Sequence, residues 1–439
     1  MIKHYPRYKE SGVDWLREIP NHWEFKRAKY IFDEVKEFSE DGSETLLSVS
    51  EYYGIAPRET VIEEGDYISR ANTLIGYKKC NKNDLIINIM LAWKRGLGVT
   101  DWDGIVSPAY CVFRNNLGIG NPKYLHYLLR TDIYISEFKR NSTGVIDSRL
   151  RLYPDEFMRI FVILPPLSEQ RQIAGYLDYK TRQIDIVIEK KQKLIDLLKE
   201  KRTTIINEAV CKGIDLNIPM KNSNNKVIVS IPKHWKIIKF NYIAKKISVG
   251  FVGPIEKYYT NKNGVMLLKT GNIGLNKIII DNISYVTKEF HEINVKSQLF
   301  PGNIIIARHG ESGKAAVIPE TITEANCLNV VILRKSNLMN EYFYSYLLNA
   351  DRYRQYLKSV QGGSVQGVIN TRDIMELRVV FPPIKEQDEI VTYINQKIKK
   401  IEKHISIIKR QINFLKEYRT ALISNVVTGK LDVREEALA

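Results

Sequence analysis

The chain has 439 residues, of which 44% are hydrophobic, and its formal net charge is +16. This length allows two to four domains with cores of their own, and no run approaches the roughly 18 apolar residues of a membrane span. Residues 1–5 lack the apolar core of a signal peptide. The four cysteines lie far apart in the sequence, which disfavours disulfides and zinc sites and indicates a reducing cytoplasm.

The positive charge points to a class of partner. Most of the excess of lysine and arginine lies outside the two long helical stretches described below. A basic cytoplasmic protein of this size most often binds nucleic acid. The alternative is a basic surface that is solvated and binds nothing.

The first globular segment covers residues 1–165. Short β-type runs occur at 45–49, 84–89, 104–106, 110–113 and 159–164, and the sequence predicts a helix over 122–138. This mixture of short strands and helix predicts an α/β or α+β domain with a twisted sheet.

A long helix is predicted over residues 166–212. Pro165-Pro166 precede it, where the missing N–H groups are harmless, and apolar side chains then recur in steps of three and four residues. That spacing is typical of the seam of a coiled coil. The seam residues are Ile184, Ile188, Ile195 and Leu198.

Residues 212–230 are polar and loop-like. The part of the chain over 213–382 is therefore predicted to be a linker followed by a second globular segment, which repeats the first at low similarity. Residues 231–235 (Ile-Pro-Lys-His-Trp) echo residues 19–23 (Ile-Pro-Asn-His-Trp), and 367–372 echo 144–149. A repeat of this length fixes the architecture of a chain. We therefore expect two related domains in tandem with diverged surfaces.

The second long helix is predicted over 383–430 and aligns with the first without a gap at an offset of 217. Two matched seams in one chain can bury each other around a pseudo-two-fold axis, so we expect an antiparallel intramolecular coiled coil. The alternative is a stalk that joins separate copies, and residues 431–439 remain as a C-terminal tail. Ile401, Ile405, Ile408 and Ile412 should pack near Ile184, Ile188 and Ile195, and Leu415 extends the second seam.

Motifs for catalysis were not found in the sequence. The nearest approach to a phosphate-binding loop, residues 310–315, lacks the spacing and the magnesium-binding hydroxyl. No glycine pattern opens a dinucleotide fold, no Asn/Asp-Pro-Pro-Tyr segment of an adenine methyltransferase is present, and His291-Glu292 has no second histidine for zinc. We predict no catalytic residue, no bound metal and no cofactor held by this chain.

Recognition by loops is the remaining chemistry. Arginine and lysine suit phosphate oxygens and guanine edges, and glutamine suits adenine. An ordinary surface role is the alternative for each loop, and the tyrosine pairs 52–53 and 258–259 and the tryptophans 15, 23 and 235 are expected to pack. The candidate DNA-contacting residues are Trp93, Lys94, Arg95, Arg308, His309, Lys314, Gln361, Ser364 and Gln366.

The combination of motifs resembles a known family. Its pieces are Tyr5-Pro6-x-Tyr8-Lys9-x-Ser11-Gly12-Val13-x-Trp15-Leu16, the two Ile-Pro-x-His-Trp segments, Ala92-Trp93 through Gly104-Ile105-Val106-Ser107-Pro108-Ala109-Tyr110, and Pro-Pro-x-x-Glu-Gln before each long helix. Over nearly its whole length the chain is similar to the specificity subunit of type I restriction–modification systems.

The resemblance implies a DNA-binding subunit without activity of its own. Its parts would be a target recognition domain (1–165), a spacer helix (166–212), a linker with a second target recognition domain (213–382), a second spacer helix (383–430) and the tail (431–439). Methyltransferase subunits, expected to number two, would use S-adenosylmethionine, and restriction subunits would use ATP and magnesium. The target would be a bipartite, asymmetric double-stranded DNA site methylated on adenine. A coiled-coil scaffold and a stand-alone DNA methyltransferase or nuclease are the alternatives.

Overall fold

The chain contains two long helices and several short ones. The computed structural model describes residues 3–61, 73–146, 149–215, 217–225, 227–310, 312–362 and 368–436, without the side chains of 361 and 362. In chain order the helices are α1 (Pro122–Leu129), α2 (Asp132–Arg140), α3 (Pro154–Arg159), α4 (Leu167–Lys212), α5 (Lys288–Ile293), α6 (Glu341–Asn349), α7 (Asp351–Gly362), α8 (Thr371–Glu376) and α9 (Ile384–Val427).

The strands are short and mostly antiparallel. The first set is β1 (Tyr8–Val13), β2 (Leu16–Pro20), β3 (Glu24–Arg27), β4 (Phe32–Val35), β5 (Leu47–Ser50), β6 (Gly54–Pro57), β7 (Lys78–Cys80), β8 (Leu85–Asn88), β9 (Leu97–Val99), β10 (Gly104–Val106), β11 (Tyr110–Asn115) and β12 (Phe161–Leu164). The second set is β13 (Met220–Asn222), β14 (Ser230–Pro232), β15 (Lys236–Lys239), β16 (Lys246–Val249), β17 (Tyr259–Thr260), β18 (Val265–Leu268), β19 (Ile273–Gly274), β20 (Lys277–Ile278), β21 (Ser284–Val286), β22 (Gln298–Leu299), β23 (Ile304–Ala307), β24 (Ala315–Val317), β25 (Ala325–Cys327), β26 (Val330–Arg334) and β27 (Arg378–Phe381).

Two units share these elements. Unit 1 consists of Met1–Lys191 and Arg410–Ala439, and unit 2 consists of Gln192–Lys409. The first part of α4 and the last part of α9 therefore belong to unit 1, and their remaining parts belong to unit 2. Each unit has its own buried core, in which Trp23 and Trp235 are fully enclosed.

The same four-stranded antiparallel sheet occurs in both units. Its order is β4-β11-β8-β9 in unit 1 and β16-β26-β23-β24 in unit 2. Unit 2 adds a five-stranded sheet, β17-β21-β18-β25-β22, in which β18 and β25 run parallel. The predicted pair of mixed α/β domains with an internal repeat is thus confirmed.

Each long helix begins directly after a proline pair, and a glutamine in its first turn satisfies the carbonyl of the first proline. The Gln170 amide donates to the Pro165 carbonyl at 2.8 Å, and the Gln387 amide donates to the Pro382 carbonyl at 3.0 Å. The same amides accept a backbone N–H of the globular domain, from Asn121 in unit 1 and from Asn340 in unit 2. The Gln of the Pro-Pro-x-x-Glu-Gln motif therefore fixes helix to domain.

The glutamate of that motif contacts the other repeated motif. Glu169 accepts hydrogen bonds from Tyr5 Oη at 2.6 Å and Trp23 Nε1 at 3.1 Å, and its second oxygen lies 2.8 Å from His22 Nε2. In unit 2, Glu386 lies 2.8 Å from His234 Nε2. The two motifs that define the repeat are thus parts of one junction, present once in each unit.

The two long helices pack antiparallel within each unit. In unit 1, Asp185 pairs with Arg419 Nε at 3.1 Å and Lys191 donates to Gln411 at 2.8 Å, so rising numbers in α4 meet falling numbers in α9. In unit 2, Arg202 lies 3.8 Å from Glu402. The predicted antiparallel intramolecular coiled coil is confirmed.

The seam is apolar as the heptads indicate, but its expected pairing is wrong for two residues. Ile184 and Ile188 belong to the unit 1 cluster, together with Leu415, Leu422 and Ile423, and the ion pair of Asp185 with Arg419 places this part of α4 beside residues beyond 412. The heptad pattern leaves the register open, and the ion pair of Asp185 with Arg419 shows which register the helices adopt. Ile184, Ile195, Ile401, Ile408 and Ile412 are buried, and Ile188, Leu198, Ile405 and Leu415 are half-buried.

Two local expectations are also corrected. The helix predicted over 122–138 is two helices, because Thr131 adopts an extended conformation and its hydroxyl donates to the Leu128 carbonyl at 2.7 Å. The linker over 212–230, expected to be a loop, contains β13, which pairs antiparallel with β14, a strand that begins at the last residue of the linker. Among the described residues no helix is both long and apolar enough to cross a membrane.

Candidate nucleic-acid interface

The loop with Trp93, Lys94 and Arg95 joins β8 to β9 in unit 1. Residues 92–94 form one 3-10 turn, and Arg95 follows with a left-handed backbone at φ 62°. Trp93 Nε1 donates to the Met90 carbonyl at 3.0 Å, which fixes the indole ring. Lys94 Nζ lies 4.8 Å from the ring centre and is held there by cation–π attraction.

Arg95 and Lys94 differ in how much charge they can offer a ligand. Arg95 pairs with Asp132 and donates to the Arg130 carbonyl at 3.2 Å, so its guanidinium already has partners. Lys94 is exposed. The assignment of Trp93, Lys94 and Arg95 as DNA contacts stays a prediction, in which Lys94 is the residue best placed to reach a phosphate.

The corresponding loop of unit 2 joins β23 to β24 and is tied down more tightly. Arg308 donates to the Ile369 carbonyl at 2.9 Å, to Asn329 at 2.8 Å and to Asn370 at 3.3 Å. His309 Nε2 lies 2.6 Å from Asn329 Nδ2. Burial lowers the pKa of Arg308, and burial with the nearby Arg354 lowers that of Lys314.

Backbone hydrogen bonds show which loop positions are equivalent. Asn88 N–H donates to the Gly96 carbonyl and Ala307 N–H donates to the Lys314 carbonyl, each at 2.9 Å. Lys314 therefore matches Gly96, and the left-handed Gly313 (φ 82°) matches Arg95. The backbone of Gln361 lies in α7, whereas its side chain and the whole of Ser364 and Gln366 lie outside the described residues.

The same comparison of backbone hydrogen bonds shows that residues 144–149 and 367–372, which are similar in sequence, are not structurally equivalent. Leu152 N–H donates to the Ile89 carbonyl, and Ile369 N–H donates to the Arg308 carbonyl. Ile369 is therefore the counterpart of Leu152, and not of Ile146 as the similar sequences of 144–149 and 367–372 indicate. Val145 and Ile146 are exposed, whereas Val368 and Ile369 are buried.

Arg130 is a residue of the site that the sequence did not reveal. Its Nη1 donates to the carbonyls of Arg95 at 2.8 Å and of Leu97, and its Nη2 donates to that of Glu51 at 2.9 Å. Longer contacts reach the carbonyls of Ser50 and Tyr52. One guanidinium thus ties the turn between β5 and β6 to the Trp93–Arg95 loop.

The aromatic side chains of that turn were expected to pack, and this is wrong. Tyr52 is 85% exposed and Tyr53 is 44% exposed. In unit 2, Tyr258 does pack, with its ring 5.0 Å from that of Phe290, and Tyr259 is exposed beside Lys269. The contact between Arg130 and this turn could not be predicted from the sequence. Arg130 lay inside a helix that was predicted to be continuous, and no segment was predicted to pack against the turn.

The described residues contain no group of histidine, cysteine and carboxylate side chains that could hold a metal ion. Burial also raises the pKa of the Cys80, Cys211 and Cys327 thiols to about 12 in each case. These thiols are protonated at neutral pH and are poor nucleophiles.

Comparison with known proteins finds a family model and curated relatives that are similar to this chain. Residues 287–410 match the family model described as the type I restriction modification DNA specificity domain. The chain is 24% identical to the MjaVIII specificity subunit of Methanocaldococcus jannaschii, over 97% of each chain. It is 25% identical to the MjaIX specificity subunit of the same organism, over 98% of this chain and 97% of the other.

Solved structures share the fold. One chain from a structure on complex assembly and conformational transition of the type I R-M system has a TM-score of 0.68 at 17% identity, covering 94% of this chain and 99% of that chain. The HsdS subunit from Thermoanaerobacter tengcongensis has a TM-score of 0.55 at 17% identity, covering 94% and 98%. The resemblance inferred from the motifs is thus confirmed: over nearly its whole length this chain has the sequence pattern and the fold of type I restriction–modification specificity subunits.

Proposed function

We propose that the chain is the DNA sequence-specificity subunit of a type I restriction–modification complex. The observation that carries the proposal is the duplicated unit. Each copy has the same four-stranded sheet, and each is joined to the long helices by the same Glu–His and Gln–backbone contacts. Two related domains with different loops suit a bipartite, asymmetric DNA site, since each domain reads one half.

Catalysis in this proposal belongs to partner subunits. Methyltransferase subunits would bring S-adenosylmethionine, and restriction subunits would bring ATP and magnesium. The long helices offer equivalent surfaces to a duplicated partner: Leu197 and Phe414, which align in the repeat, are both exposed apolar side chains. The duplication of the helices themselves supports two methyltransferase subunits as partners. We expect the complex to act in the cytoplasm, on double-stranded DNA.

The test is methyl transfer by the purified chain with and without its methyltransferase subunit. We expect the chain alone to be inactive with S-adenosylmethionine or ATP, and the complex to methylate adenine only within a bipartite sequence. The matched control is the methyltransferase subunit without this chain. Turnover by the chain alone, or sequence-specific methylation by the control, contradicts the proposal.

A further inference from the structure

A cleft of about 850 Å³ lies within unit 1, beside the turn that carries Tyr52. One wall is that turn, the floor is the junction of α1 and α2, and the far wall is formed by the first and second long helices. The far wall presents Lys416, Arg419, Thr420 and Ser424 from α9, which are spaced so that they share one helix face.

The charges around the cleft leave two cations without a carboxylate partner. Asp132 pairs with Arg95 and Asp185 pairs with Arg419. Arg130 and Lys416 make no ion pair within the described part of the chain, and Glu51 is the remaining acid of the lining. Arg130 stays charged at neutral pH, although burial and the nearby Arg95 and Arg419 lower its pKa to about 10.

Tyr52 is exposed on a backbone that is not free to move away. Its carbonyl and that of Glu51 accept from Arg130 Nη2, and its N–H donates to Ser50 Oγ at 3.1 Å. An exposed ring on a fixed turn is suited to stack on a sugar or a base, because the ordering cost of the backbone is already met.

The equivalent place in unit 2 has different chemistry. Asn349 stands where unit 1 has Arg130, and its amide is bonded to the Ala315 carbonyl and to Asn276. Asn207, the counterpart of Ser424, donates to Asp351 at 2.7 Å and accepts from its N–H. Helix and domain are bridged there by protein groups, so the inference concerns unit 1 alone.

We propose that this cleft binds the sugar-phosphate backbone of a DNA strand, with a phosphate at Lys416 and a sugar or base against Tyr52. Arg130 contributes its positive charge to the cleft, since its Nη groups already donate to backbone carbonyls. The inference rests on the proposed function and extends the DNA contact of unit 1 from its loops to the second long helix. A phosphate at Lys416 also lies within the favourable field of Arg419, and the hydroxyl of Ser424 can donate to the DNA backbone. The hydroxyl of Thr420 already donates to the Lys416 carbonyl at 3.1 Å. A free nucleotide has the same chemistry and is the alternative source.

The test measures binding of duplex DNA by the full chain, assembled with its methyltransferase subunit, at several salt concentrations. Lys416→Gln removes a phosphate contact, so the slope of log affinity against log salt should fall by about 0.9. Tyr52→Ala removes a stacking surface without a charge, so affinity should fall about five- to a hundredfold with an unchanged slope. Both side chains are exposed, and the melting temperature should stay at the wild-type value.

Matched controls exist in the same unit. Tyr30 is 60% exposed and Lys190 is exposed, and neither lines the cleft. Tyr30→Ala and Lys190→Gln should bind like the wild type. Wild-type affinity and slope in both Lys416→Gln and Tyr52→Ala, with a wild-type chain that binds DNA, overturn the inference and leave the proposed function standing.

Two other outcomes have distinct meanings. A wild-type complex with the methyltransferase subunit that binds no duplex overturns both the inference and the proposed function. ATP alone, titrated into the wild type and Lys416→Gln, tests the alternative source. Saturable ATP binding that is lost in Lys416→Gln, while DNA binding is retained, overturns the assignment to DNA and identifies a nucleotide site.

Discussion

Glu169 shows how one residue can hold a repeat together. It is buried, and three side chains from the start of the chain converge on it: Tyr5, His22 and Trp23. Its counterpart Glu386 contacts His234, but Trp235 Nε1 is buried without a hydrogen-bond partner among the described residues. The second copy keeps the aromatic packing and lacks part of the polar network.

Glu169→Ala should therefore destabilise unit 1 more than Glu386→Ala destabilises unit 2. The first change leaves the buried Tyr5 and Trp23 donors unpaired, at about 1–3 kcal/mol each, whereas the second leaves only a half-exposed histidine. Urea unfolding followed by hydrogen exchange in each unit measures both effects. Equal losses in the two variants would show that the Tyr5 and Trp23 hydrogen bonds contribute little.

His126 predicts a pH effect confined to unit 1. Burial, with the nearby Arg130 and Lys123, lowers its pKa from 6.5 to about 3. Between these values the unfolded chain binds a proton that the folded chain does not, so stability should fall as the pH falls from about 6.5, by at most about 1.4 kcal/mol per pH unit. His126→Gln should remove this component of the pH dependence, as measured by urea unfolding at several pH values.

The control for His126 is His234, which is partly exposed and paired with Glu386. His234→Gln should leave the pH dependence of unit 1 unchanged. If His126→Gln unfolds with the same pH profile as the wild type, the imidazole is protonated in the folded protein and the argument from burial is wrong.

At the scale of elements, the long helices were the most predictable part of the chain. Repeated heptads and the proline pairs gave both helices and their antiparallel packing, because the hydrophobic period is local information. The register was not predictable, since every heptad offers an equivalent seam. The register that forms is visible in contacts such as Asp185 with Arg419 and Lys191 with Gln411, which pair residues far apart in the sequence.

The short elements were less predictable for the same reason. The break at Thr131 follows from a single residue in extended conformation, inside a stretch whose apolar pattern continues. Tyr52 and Arg130 are brought together by the tertiary fold, and neither carries a local signal of its role. The sequence similarity of 144–149 to 367–372 predicted the wrong structural equivalence, because the two segments lie at different positions relative to the equivalent strands β8 and β23.

The seam gives a stability prediction with a neighbouring control. Ile408 is 8% exposed, whereas Ile407 is 43% exposed on the same turn of α9. Ile408→Ala should cost about 2–5 kcal/mol of unfolding free energy, and Ile408→Asp should cost more because the carboxylate is buried without a partner. Ile407→Asp should cost less than about 1 kcal/mol, since it faces solvent. Similar losses at 407 and 408 in urea unfolding would contradict the seam.

At the scale of the whole molecule, the two units share a framework and differ in their loops. The junction and the sheet order are the same in both units, and these parts are framework. The loops differ: Arg308 is bonded to three partners in unit 2, whereas Lys94 of unit 1 is exposed, and Arg130 is replaced by Asn349. A protein that reads two different half-sites needs this combination, because one framework must present two recognition surfaces.

The most direct test is to sequence the methylated bases of the host genome with and without the gene for this chain. The account predicts a bipartite, asymmetric motif with methylated adenine that disappears on deletion and returns on complementation. Complementation with a chain in which residues of one unit are exchanged for those of a relative should change one half of the motif and leave the other half. A set of methylated motifs that is unchanged by the deletion would contradict the account.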